Sequence, residues 1–173
     1  ETQKDADLAK ACNQAIFNRE SENEASHALL HRSLIAARLK DSDSLTDALL
    51  NLMNNKIRYD SLMTNHDYDR GSCYCTDFAI GYLGIINEAL VYSNTGEIEL
   101  LPACVKGFDK GEITGINART RATVDSLSWD LREGKVDAKI TSHINQELSV
   151  SYGYDTQTIV FKAGETKTVS FSK

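Results

Sequence analysis

From Phe78 to Ala103 the sequence reads F-A-I-G-Y-L-G-I-I-N-E-A-L-V-Y-S-N-T-G-E-I-E-L-L-P-A, and the character of the chain changes inside it. Through about Tyr92 the apolar residues recur at helical spacing, with Leu83, Ile86 and Leu90 expected to make the buried stripe. Gly81 and Gly84 lie one turn apart, which would let another backbone approach closely. Asn94-Thr95-Gly96 is a stop signal. Beyond it the pattern alternates and β-branched residues dominate, as in half-buried strands. Residues 1–93 are therefore expected to be mostly helical and residues 94–173 mostly strand, an α+β chain in two parts.

Upstream, Asp5–Phe17 reads as a short amphipathic helix through Leu8, Ala11, Ala15 and Ile16. Ser26–Lys40 is the clearest helix, with Leu30, Leu34 and Ala37 on one side. A third is expected to start at Ser44 as N-cap, with Asp47 as the capping-box acid. Tyr59–Thr76 is polar and aperiodic; a loop this long inside a compact domain is usually functional or disordered, and the interleaved tyrosines argue against disorder. Downstream, strands are expected near 98–103, 113–119, 123–129, 136–141, 147–152, 158–162 and 168–171. Arg132-Glu133-Gly134 and Ala163-Gly164-Glu165 serve as turns, which together suggest an antiparallel sandwich.

Composition bounds the function. With 41% hydrophobic and 25% charged residues the chain can pack a core. Its net charge is −6, and acidic residues outnumber basic ones 14 to 9 over the first 93 positions. Without a Lys/Arg stripe it repels phosphate backbones, which excludes nucleic acid as the expected partner. No apolar run approaches ~18 residues, so no membrane span is expected. Cys12, Cys73, Cys75 and Cys104 contain no C-x-x-C pair, and Cys73 and Cys75 are too close for an unstrained bridge. They read as thiols, which leans toward a reducing, cytoplasmic compartment. The chain opens on Glu1 and reads as a segment of a longer protein.

Few residues suggest chemistry. His27 and His31 project from one helix face, but Ala-Leu-Leu separates them where the zinc-protease pattern needs a Glu, and no third ligand is evident; no metal is expected. Arg38 falls near the same face, making a polar edge that suits either sugar hydroxyls or plain solvent. Asp77 sits where the long loop meets the following helix. It fits two roles, an N-cap or a carboxylate that activates water. His66, Asp67 and Asp69 in the loop are weaker candidates. No nucleophile elbow, phosphate loop or dinucleotide fingerprint appears, so no cofactor is expected.

The run Gly84–Leu90 followed by Tyr92–Ala103 resembles glycoside hydrolase family 95, the α-L-fucosidase-like family, which reads roughly G-I-A-E-M-L-L-Q-S-x-x-G-E-I-x-L-L-P-A here. Gly115–Arg119, Val124-Asp125 and Trp129 are similar to its next segment. Ser26–Arg32 and Ala37-Arg38-Leu39 are similar to G-W-S-L-A-W-K and A-R-L, with histidines at the tryptophan positions. The family's I-D-G-N-F-G-G becomes Cys75-Thr76-Asp77-Phe78-Ala79-Ile80-Gly81. Its Asp matches Asp77 if the Asp-x-x-x-Gly spacing is kept, or Cys75 if Asp77 matches the Asn; the first is preferred. Asn65-His66 resembles its D-T-H.

The resemblance implies that residues 1–93 are the closing helices of an (α/α)6 barrel and residues 94–173 a C-terminal β-sandwich. It also implies inverting hydrolysis of a carbohydrate substrate. Asp77 would then be the base-side carboxylate, with His66, His27, His31 and Arg38 lining the sugar site and the acid Glu supplied by the rest of the parent chain. Alone, such a piece would be inactive and prone to oligomerise through Leu8, Ile16, Leu30 and Leu34. The alternative is a non-catalytic carbohydrate-binding or structural module.

Overall fold

The computed structural model describes residues 5–18, 25–53 and 75–172. The chain divides into two compact units, Glu1–Ala89 and Leu90–Lys173.

The first unit contains α1 (Ala6–Phe17), α2 (Ser26–Arg38), α3 (Ser42–Leu52) and most of α4 (Thr76–Leu90). α2 ends in a Schellman turn: Lys40 takes φ 61°, its N–H donates to Ala37 O, and the Asp41 N–H reaches Ala36 O. Asp41 then caps α3, its Oδ1 accepting the Ser44 N–H at 3.0 Å. The cap is thus Asp41 and not Ser44, because the Schellman turn delivers the chain into α3 three residues earlier than the apolar pattern suggests. Asp47, free of a capping role, lies 3.3 Å from Arg32 of α2. The corner is short enough to fold α3 back along α2, burying Leu29, Ala36, Leu45, Ala48 and Leu52.

Side-chain contacts join α2 to α4. His27 meets Asp77, Leu30 lies over Gly81, and Arg38 meets Glu88. Both helices advance together along this ladder, so they run parallel. A Cβ at Gly81 would stand 2.8 Å from Leu30 Cδ2, so the close approach read from the glycines is real there, although a side chain fills the space. At Gly84 nothing lies within 4 Å. Leu30 is accordingly buried, Leu34 half-buried and Leu8 exposed, while the side chain of Ile16 lies outside the described residues.

The second unit is two four-stranded sheets, β1-β2-β6-β7 and β3-β4-β5-β8. Their strands are β1 (Val91–Asn94), β2 (Glu97–Leu100), β3 (Lys110–Ala118), β4 (Ala122–Asp130), β5 (Lys135–Ser142), β6 (Gln146–Tyr152), β7 (Asp155–Phe161) and β8 (Thr166–Ser172). Alternate residues of both sheets are buried: Ile98, Leu100, Leu148 and Val150 from one, Val124, Leu127, Val136 and Ile140 from the other. Tyr152 and Phe171 stack between β6 and β8 with ring centroids 6.0 Å apart. α4 ends at Leu90, two residues before the expected stop, and Val91–Asn94 is an unforeseen strand. It pairs with β2 through the two-residue turn Thr95-Gly96, where Gly96 takes φ 78°.

One pair departs from the antiparallel expectation. β2 and β6 run parallel, from Glu97 opposite Ser149 to Leu100 opposite Tyr152. The chain leaves β2, builds three strands of the other sheet, and returns, which is the long crossover a parallel pair requires. Leu101 breaks away at φ 53° ahead of Pro102, so β2 stops at Leu100 instead of continuing to Ala103. Among the described residues no helix is long and apolar enough to cross a membrane.

Candidate functional site

Among the described residues, α2 and α4 bring together one cluster of residues singled out in the sequence. His27 is the second residue of α2 and His31 sits one turn on. Their rings meet edge to face, with centroids 4.7 Å apart and planes at 79°. Asp77 is the second residue of α4, inside its first turn, so it is not the N-cap that sequence position allowed. Its carboxylate instead enjoys the positive end of the helix dipole. His27 Nδ1 stands 3.5 Å from Asp77 Oδ2, with the two side chains 41% and 64% exposed. Here is a solvent-accessible carboxylate beside the imidazole of His27, against which the His31 ring packs.

Arg38 lies eleven residues beyond His27, roughly 16 Å along the helix. It is held there by Glu88 at 3.1 Å and is not brought into the cluster. Glu88 is likewise eleven residues beyond Asp77, too far along α4 to serve as a second carboxyl at the ~6.5–9.5 Å of an inverting pair. His66, with Asp67 and Asp69, lies outside the described residues. Among the described residues no three His, Cys, Asp or Glu side chains are arranged to hold a metal.

A concavity elsewhere in the first unit was not foreseen. It is a cleft of about 270 Å³ lined by Lys10, Asn13 and Gln14 of α1, Arg32 and Ala36 of α2, Asp41, and Ser44 of α3. Arg32 and Asp41 are already engaged by Asp47 and the Ser44 amide, so these two walls serve the fold.

In the second unit the polar side chains form a structural lattice. The Arg119 N–H donates to Ser93 Oγ at 2.8 Å and its guanidinium reaches Ser93 O at 3.2 Å, tying the end of β3 to β1. Thr120 Oγ1 accepts from the Gly96 amide and donates to Gln146 Oε1. Burial pushes the Cys104 thiol up, and the Asp109 carboxylate adds to the effect, so that sulfur stays a poor nucleophile at neutral pH.

The arrangement of β1, β2 and the Leu101-Pro102 break is the structural form of the stretch that began the sequence reading. Residues 92–173 match the family model described as glycoside hydrolase family 95, C-terminal domain. Over these residues the chain is similar to a family 95 C-terminal domain. No curated protein matches the chain. The segment similar to family 95 coincides with the second unit almost residue for residue. Its first matched residue is Tyr92, downstream of His27, His31, Arg38 and Asp77.

Proposed function

We propose that this chain is the C-terminal part of an inverting, α-L-fucosidase-like glycosidase. Its helices close an (α/α)6 barrel (residues 1–93) ahead of the β domain (94–173). Asp77 is the base-side carboxylate; His27 and His31 line the sugar site beside it, and His66 and Arg38 contribute from farther out. The acid comes from the rest of the parent chain. The observation that carries this reading is the family 95 match across residues 92–173, directly behind the helix that presents Asp77.

Two features of the helices support it. Parallel α2 and α4 with α3 folded back between them in sequence repeat the logic of a barrel built from helical hairpins. Ile80 and Leu83 of α4 are 75% and 66% exposed beside the open Gly84. A helix apolar on more than one face belongs in a larger body. That surface also gives the isolated chain a reason to self-associate.

A non-catalytic sugar-binding module would need aromatic rings on which sugar faces stack. Two rows across β3, β4, β5 and β8, Asn117-Thr123-Thr141-Thr166 and Thr114-Ser126-Lys139-Thr168, carry no ring, and the exposed rings of the domain, Tyr154 and Phe108, lie off them. The test is to assay the parent enzyme on a panel of aryl glycosides and follow the anomer released by NMR. Release of the inverted anomer is expected. A retained anomer, or no turnover of any glycoside, contradicts the proposal.

A further inference from the structure

We propose that His27 is a positioning residue for Asp77: it holds one carboxylate oxygen so that the other faces the attacking water. This deepens the function proposed above and rests on it. His27 Nδ1 lies 3.5 Å from Asp77 Oδ2, longer than the ~2.9–3.0 Å of a formed N–H···O bond. Catalytic hydrogen bonds are often long before substrate arrives and tighten afterwards.

Two elements hold the pair in register. Leu30 over Gly81 and Arg38 against Glu88 fix α2 beside α4, so the N-terminal ends of the two helices cannot slide past one another. His31, edge to face at 4.7 Å, packs against the His27 ring and restricts its rotation. Stability does not explain the placement, because an ion pair this exposed contributes only ~0–1 kcal/mol. A base needs the opposite of a solvated, freely turning carboxylate: it must be within hydrogen-bond reach of the proton it takes. Donation by Nδ1–H to Oδ2 leaves Oδ1 to accept that proton from water, and His27 keeps its own proton throughout.

The test is steady-state kinetics of the parent enzyme on an aryl glycoside it turns over. His27→Ala is expected to lower kcat about tenfold to a hundredfold with KM nearly unchanged. His27→Asn places a carboxamide nitrogen near the Nδ1 position and restores most of kcat. His27→Gln, whose nitrogen sits nearer the Nε2 position, does not. In an Asp77→Asn background His27→Ala costs nothing further. A rise in KM with kcat preserved, equal rescue by Asn and Gln, or a loss additive with Asp77→Asn overturns the assignment. If His27→Ala fails to fold, the contrast between Asn and Gln still decides. A crippled Asp77→Asn beside an active His27→Ala sinks this inference alone, whereas an active Asp77→Asn sinks the proposed function with it.

Discussion

At Gly111 there is room for hydrogen and nothing larger. A Cβ there would stand 2.5 Å from Cζ2 of Trp129, its partner across β3 and β4. The indole cannot yield, because its N–H donates to Phe108 O at 2.7 Å. Gly111→Ala should therefore destabilise the β domain by about 1–3 kcal/mol, read as a lower melting midpoint. An unchanged melt would show that the ring gives way. The sequence carried part of the candidate cluster at this scale. His27 and His31 share a face because helical spacing demands it. Their meeting with Asp77 was hidden, since it depends on Leu30 lying over Gly81, a contact spanning some fifty positions. Asp41 as the cap of α3 was hidden for a different reason: it follows from the left-handed Lys40, and lysine does not advertise that conformation.

The elements of the β domain are joined by Gln146. Its amide donates to Thr120 O at 2.9 Å and to Ser142 Oγ at 2.8 Å, and its carbonyl accepts from Thr120 Oγ1 at 3.0 Å. These bonds connect β6 of one sheet to the ends of β3 and β5 in the other. Thr120 and Ser142 are buried, so Gln146→Leu strands polar groups away from water. A loss of about 2–3 kcal/mol by denaturant unfolding is expected; a loss near zero would mean that water replaces the amide. Period-2 alternation made β4, β5, β6 and β8 readable in place, because buried residues alternate along them, whereas β3 and β7 bury only Ile116 and Phe161. It failed at β1, whose Val91-Tyr92 continues the apolar stripe of α4 and offers only four residues for a new period to show. Nor could alternation reveal the parallel β2–β6 pair, since strand direction is set by the crossover and not by the pattern.

Over the whole molecule, charge predicts behaviour that the fold alone does not. The Lys110 ammonium hydrogen-bonded to Asp130 holds that carboxyl below the usual carboxylate range, with the Glu133 amide adding to it. The Lys162 amide lowers Glu165 in the same way, helped by Lys167. A carboxyl depressed in the folded state stabilises it above the unfolded value of ~4, and that contribution is lost as pH falls through the folded value. Stability should thus be level near neutrality and fall below about pH 4, with Asp130→Asn flattening the fall. An identical acid profile in that variant would contradict the assignment. The two-part organisation was legible from one change of period near Asn94, and the family from the residues around it. What the helices pack against was not, because the apolar stripe of an amphipathic helix does not name its partners. The most direct measurement of the central claim is the turnover of Asp77→Asn in the parent enzyme, with its melting followed alongside. Asparagine keeps the size and hydrogen-bonding reach of the side chain and removes the base, so kcat should fall by ~10²–10⁴-fold while the melting midpoint barely moves. Turnover near that of the wild type would contradict the account.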